Sequence, residues 1–293
     1  MNTAKMTVRQ FFDRFLNDDV CLEHIMEVRF GLRHDCQKCG VEATFHKLAN
    51  RKAYSCSQCG AHLYPCAGTI FQDSRTPLTV WFYAIYLFVT TRHGVSGKEL
   101  ERQLGVTYKT AYRMGQQIRK LMGKADNVPM LQGHIELDEA FVGGKRSGGQ
   151  RGRGALGKTI LYGLKERGGN IVVEIIPDTR KETLRAVALN KISHWSVVST
   201  DQWNGYTLLK EEGFVHGSVD HSKKQYARYD AEQDVVHHVN HVESFWRLFK
   251  KSVQGTHIHI SAKHMQKYVD EFTFRSNHRE MKNAMFDLLI GAL

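Results

Sequence analysis

Two short cysteine motifs constrain this chain more than any other feature. Cys36 and Cys39 stand in one C-x-x-C-G segment, and Cys56 and Cys59 in a second. Four soft thiolates presented from two tight turns meet the tetrahedral demand of Zn²⁺. The glycine after each second cysteine admits the positive φ that such a turn needs. The residues between the pairs, 44–47 and 51–55, read as short strands, so a zinc ribbon is expected over residues 31–70. A zinc held by four thiolates is structural rather than catalytic. Cys21 and Cys66 read as buried thiols, and His34, His46 and His62 as surface residues rather than further ligands.

The chain has 293 residues, enough for two domains, and a formal net charge of +11. That charge favours a polyanionic partner, nucleic acid first. The longest apolar run, residues 80–89, is too short to span a membrane and is interrupted by Tyr83 and Tyr86, so no membrane partner is expected. The first twelve residues lack the apolar stretch of a secretory signal, which predicts a cytoplasmic protein and cysteines that bind metal rather than form disulfides.

Helical spacing of Phe11, Phe12 and Phe15, then of Leu22, Ile25 and Met26, predicts two short helices within residues 1–30, with Asp18 and Asp19 between them. After the ribbon, Thr76 as N-cap and Pro77 at the first helical position open a helix running to residue 89. Ser96 and Glu99 form a capping box for a helix ending near Gly105, and Thr107 caps another over residues 108–122. Residues 71–125 thus fit a helix-turn-helix whose recognition helix presents Tyr108, Lys109, Tyr112, Arg113 and Gln116 to DNA. A trihelical packing module without DNA contacts has the same pattern. Residues 124–128 read as a linker.

A second domain is expected over residues 130–293. Residues 134–142 read as a strand carrying adjacent acids, Asp138 and Glu139; alternation lets only one face a shared site. Residues 143–158 are glycine-rich and basic, and Lys145, Arg146, Arg151 and Arg153 suit a loop along a phosphate backbone. The end of this loop satisfies the letters of a nucleotide-binding P-loop, but Thr159 begins a strand where a P-loop opens a helix. A hairpin turning at Gly168-Gly169 follows, then a helix over 180–191 and a strand over 196–200 that runs into Asp201. Residues 238–251 form a helix with Val239, Val242, Trp246 and Phe249 on one stripe. A second stripe carries Asn240, Glu243, Arg247 and Lys250. Asp138, Asp201 and Glu243 together suit two divalent ions in an in-line phosphoryl displacement, and hard oxygen ligands select Mg²⁺ or Mn²⁺.

The order strand–strand–strand–helix–strand–helix with these acids resembles the ribonuclease H-like transposase and integrase superfamily. The segments around Asp138–Lys145, Thr200–Tyr206 and His238–Lys251 resemble bacterial insertion-sequence transposases of the ISXO type with an N-terminal zinc ribbon. Gly68–Phe71 and Tyr268–Arg279 match that branch too. The resemblance implies an α/β catalytic domain, a mixed sheet flanked by helices. It also implies cutting at an element's ends and joining of the 3′-hydroxyls to target DNA. Partners would be double-stranded DNA, as element ends and as target, and further copies of the chain in a homodimer or higher multimer. Asp138 becomes the first catalytic acid, with Glu139 facing away. This branch takes either Glu or Asn as its third acid position, followed by Lys, so Glu243 and Asn240 both remain open, with Lys250 after them.

Three rival readings use the same residues. One is a zinc-ribbon DNA-binding regulator without activity, and another is a nuclease or junction resolvase of the same fold. The last is a zinc hydrolase using His237, His238 and His241, which lacks the base of an H-E-x-x-H helix.

Overall fold

The computed structural model describes residues 6–143, 158–281 and 284–293. The chain divides into two compact units: Met1–Ala125 with His278–Leu293, and Asp126–Asn277.

In the first unit, helices α1 (Val8–Arg14) and α2 (Asp18–Arg29) precede four short strands, β1 (Arg33–Asp35), β2 (Glu42–Lys47), β3 (Tyr54–Cys56) and β4 (His62–Leu63). These pair in that order as an antiparallel sheet. Helices α3 (Leu78–Thr90), α4 (Gly97–Leu104) and α5 (Tyr108–Ala125) follow. Gly105, at φ 64°, ends α4 in the left-handed conformation that suits a glycine cap. Val106 and Thr107 then lead into α5, so the tight turn expected between the two helices is present.

Two expected caps differ. Asp18 and Asp19, expected between the two helices, lie in the first turn of α2, which Asn17 caps and where the helix dipole favours negative charge. Thr76 does not cap α3. Pro77 takes the cap position, and the distant Asp18 carboxylate accepts from the Leu78 and Thr79 N–H groups, each at 2.9 Å. At α4, Ser96 accepts from Glu99 N–H at 3.1 Å, but the Glu99 side chain turns to Arg102 and Gln103, so half of the expected box forms.

The C-terminal segment also departs from the expected boundary. Helix α9 (Ala284–Gly291) belongs to the first unit rather than to the second. Its Phe286 joins a buried aromatic cluster with Phe11, Phe15 and Phe82, at centroid distances of 5.3 to 6.2 Å. An apolar helix of two turns is buried wherever an apolar face awaits it, and that face is supplied by α1 and α3.

The second unit is built on a five-stranded sheet of β5 (His134–Val142), β6 (Thr159–Glu166), β7 (Ile171–Ile176), β8 (Val197–Asp201) and β9 (Val215–Val219). Its order is β7-β6-β5-β8-β9. The first three strands form the expected antiparallel meander, and β8 and β9 add in parallel. Helix α6 (Lys181–Lys191) packs Leu184 and Ala188 against Leu137, Leu164 and Val198 on one face. Helices α7 (Asn240–Ser252) and α8 (Met265–Asn277) cover the other, with Val242, Trp246, Phe249 and Phe272 against Ala140, Leu161 and Val173. The sequence reading assigned neither β9 nor the hairpin of β10 (Arg228–Asp230) and β11 (Val235–His237). At the sheet edge, the Asn277 amide accepts from Ile171 N–H at 2.7 Å and donates to its carbonyl at 3.0 Å, completing a backbone pair that has no neighbouring strand. No helix among the described residues is long and apolar enough to cross a membrane.

Candidate active site and metal centres

In the ribbon, the two knuckles are built alike. Gly40 N–H donates to the Cys36 carbonyl and Gly60 N–H to the Cys56 carbonyl, with φ of 69° and 70° at the two glycines. The sulfurs of Cys36, Cys39, Cys56 and Cys59 all lie within 4.8 Å of one another. Backbone N–H groups of Cys39 and Lys38 pull the Cys36 thiol down to about 6. Against the N–H of Ala61, burial and the neighbouring thiols push Cys59 up to about 11. Four thiolates so close need a cation between them, and a soft tetrahedral set fits zinc. Cys21 is buried, and burial pushes its thiol up to about 12, as suits an inert core residue.

In the second unit, strand alternation separates the adjacent acids. Glu139 faces the α6 side, where it is buried and accepts from the Tyr206 hydroxyl at 2.9 Å. Asp138 faces α7. The parallel register runs Ile135↔Val198 and Glu136↔Ser199; continued by two residues, it sets Asp138 level with Asp201, the last residue of β8. Across β6, Asp138 is paired with Gly163. A Cβ there would lie 2.5 Å from the Trp246 ring and 3.1 Å from Val242, so the absence of a side chain lets α7 settle onto the sheet beside Asp138. Glu243, in the first turn of α7, is half exposed and lies 4.0 Å from the His221 ring.

The electrostatics tie these acids together. Burial, then the charges of Glu139, Asp201 and Glu243, push the Asp138 carboxyl up to about 8. Carboxylates that repel one another in this way fit a site for divalent cations, since hard oxygen donors suit Mg²⁺ or Mn²⁺. The three acids do not crowd around one point as the cysteines do. Among the described residues, the other close grouping is Glu136, His238 and His241. An open cavity of about 750 Å³ adjoins Asp201, with Lys210, Lys223 and Arg228 on its wall, so cations that attract phosphate flank the acid.

The remaining predicted residues divide. Val239, Val242, Trp246 and Phe249 are buried, and Asn240, Arg247 and Lys250 are exposed on the face that carries Glu243. His237 stands apart from the other two histidines: it is buried, bonds Ser199 at 2.9 Å and fills the space left by Gly217. The three histidines therefore do not form a hydrolase centre. On α5, Tyr108, Lys109 and Arg113 are exposed and Tyr112 half-buried. Gln116 is a correction. It lies one turn past Tyr112, on the side of α5 away from Met114 and Ile118, and is nevertheless buried. Lys145, Arg146, Arg151 and Arg153 lie outside the described residues. Sequence reasoning passed over Glu136, although its place two residues before Asp138 on one strand assigns it to the same face.

A mixed sheet in this order, with acids on two neighbouring strands and a helix laid across them, is the ribonuclease H-like fold. The ISXO2-like transposase domain family matches residues 130–277, and a transposase zinc-ribbon domain matches residues 16–62. The chain belongs to the ISXO2-like transposase family. An uncharacterized protein in transposable element ISH50 of Halobacterium salinarum is 26% identical over 299 residues, covering 95% of this chain and 98% of that one. An uncharacterized transposase-like protein of Haemophilus influenzae is 27% identical over 109 residues, covering 37% of this chain and 82% of that one. Among solved structures, the Mos1 transposase paired-end complex shares 12% identity and a TM-score of 0.25, covering 72% of this chain and 78% of that one. That likeness is too slight to carry an argument.

Proposed function

We propose that this chain is a DNA transposase that binds the ends of an insertion sequence and catalyses metal-dependent cleavage and strand transfer. The observation that carries the reading is the register that sets Asp138 of β5 level with Asp201 of β8, with Glu243 on the helix laid over that face. Divalent ions, when bound, supply the charge that activates an attacking oxygen and stabilises a leaving one. The chain's own residues do the rest. Asp138 and Asp201, fixed on neighbouring strands, hold the ions from the sheet. Glu243 holds them from the helix, a carboxylate being a far better ligand for a hard cation than the Asn240 amide one turn before it. Arg247 and Lys250, exposed on the same face, bind the phosphates of the strand being cut.

In the first unit, zinc in Cys36, Cys39, Cys56 and Cys59 holds the ribbon, and Tyr108, Lys109, Tyr112 and Arg113 of α5 contact double-stranded DNA. Copies of the chain act together on paired ends as a homodimer or higher multimer. The test is purified protein with duplexes of the flanking element ends, Mg²⁺ or Mn²⁺ and a supercoiled target. Joining of the 3′-ends to the target supports a transposase. Hydrolysis alone supports a nuclease of the same fold, and binding without cutting supports an inactive regulator.

A further inference from the structure

A strand that buries a carboxylate completely must give it partners, and Glu136, two residues before Asp138, is fully buried. Its partners are the entry of α7 and Arg167, which follows β6. The residue before that helix, Val239, has no side chain able to cap it. The first-turn N–H groups go elsewhere: Asn240 N–H to the His238 ring at 3.4 Å, and His241 and Val242 N–H to one oxygen of Glu136 at 2.8 and 3.2 Å. The other oxygen of Glu136 accepts from Arg167 Nε at 2.9 Å and meets His241 Nδ1 at 2.7 Å, with His238 Nδ1 at 3.0 Å. Arg167 also donates to the carbonyls of Val236 and His238, at 2.8 and 3.1 Å. The chain entering α7 is thus gripped by its carbonyls and the helix by its first N–H groups.

Glu136 and Asp138 point to the same face of β5, about 6.8 Å apart along the strand. On α7, Glu243 follows directly after the two residues whose N–H groups Glu136 holds. A bond from one strand residue to two successive N–H groups fixes both the axial position and the rotation of the helix. We propose that Glu136 is a positioning residue for the reaction: it caps α7 from across the sheet and so sets where Glu243 stands relative to Asp138. This rests on the reading of Asp138 and Glu243 as metal ligands.

Glu136, His238 and His241 are also spaced as a metal site. The Arg167 guanidinium sits on the same carboxylate oxygen, however, and supplies the positive charge that an ion would bring.

The test uses the full chain with Glu136→Ala, Glu136→Gln and Glu136→Asp, and Asp138→Asn as control. Mn²⁺ binding is titrated by electron paramagnetic resonance of the free ion, and cleavage of an element-end duplex is followed against Mn²⁺ concentration, both well below the melting temperature. Glu136→Ala should weaken Mn²⁺ binding about 10- to 100-fold, the loss typical when a group supporting a ligand is removed. Cleavage should return toward the wild-type rate at saturating Mn²⁺. Glu136→Gln, which keeps an oxygen for the N–H groups, should lose much less. Glu136→Asp, with its oxygens drawn back by one methylene, should fall between and decides the matter if the alanine variant does not fold. Wild-type Mn²⁺ binding in a folded Ala or Asp variant overturns the proposal. So does loss of one bound ion while Asp138→Asn retains all of them, since Glu136 would then itself be a ligand. Wild-type Mn²⁺ binding and cleavage in Asp138→Asn would instead overturn the proposed function.

Discussion

Gly163→Ala is a one-carbon perturbation aimed at the seat of α7. The added Cβ would lie 2.5 Å from the Trp246 ring, where ordinary contacts run from 3.4 to 4 Å, so α7 or the ring must retreat by about 1 Å. Trp246 is buried against Phe245 and Phe249. Overpacking of this kind costs about 1–3 kcal/mol, which in a unit of this size lowers Tm by roughly 2–12 °C. The larger effect falls on chemistry. The same turns of helix carry Glu243, and a misplacement of about 1 Å can cost on the order of 10²-fold in rate. The assay pairs a thermal melt with cleavage of an element-end duplex at saturating Mn²⁺, and measures DNA binding beside them. A lower melt, a cleavage rate down about 10²-fold and unchanged DNA binding are expected. Wild-type melting and cleavage would refute the argument that the glycine seats the helix.

Three other outcomes follow from the same structure. Elemental analysis should find about one zinc per chain, and chelation should unfold the ribbon while leaving the sheet of the second unit intact; a folded, metal-free ribbon contradicts the site. Because Asp138 is raised to about 8, the metal-free protein holds a proton there through neutrality, and a divalent ion must displace it. Metal affinity should therefore rise with pH up to about 8 and then level off, and the metal-free fold should lose stability over the same rise, since the folded state binds the extra proton. Titration calorimetry at several pH values checks this, and a flat profile refutes it. On α5, Arg113→Ala should weaken DNA binding and its salt dependence. By contrast, Gln116→Met should leave binding unchanged and raise stability by about 1 kcal/mol, because both amide atoms of Gln116 are buried without a hydrogen-bond partner among the described residues. Weaker DNA binding in Gln116→Met would restore Gln116 to the contact face.

What the sequence made legible was local and periodic. The meander of β5, β6 and β7 shows as alternating apolar residues broken at Gly168-Gly169, and the two stripes of α7 show at helical spacing. Alternation alone separates Asp138 from Glu139. What stayed hidden depends on distant partners. Strand β9 reads Val-His-Gly-Ser-Val, with a glycine at its centre whose purpose is to admit His237 from elsewhere in the chain. The cap of α3 comes from Asp18, sixty residues earlier, and overrides a local Thr-Pro signal. The cap of α7 comes from Glu136 across the sheet, over a gap of 105 residues. Gln116 shares its helix phase with Tyr112 and Lys109, which reads as a recognition face, and its burial is set by packing that the phase of α5 does not show.

The central claim is that Asp138, Asp201 and Glu243 act as one metal-dependent centre. The measurement is cleavage and strand transfer of labelled element ends by the full chain carrying Asp138→Asn, Asp201→Asn, Glu243→Gln or Asn240→Ala, with DNA binding measured in parallel. The first three should abolish both steps and leave binding intact, and Asn240→Ala should keep partial activity. Normal cutting by Glu243→Gln with a dead Asn240→Ala would move the third ligand to Asn240, and normal cutting by Asp138→Asn or Asp201→Asn would contradict the account.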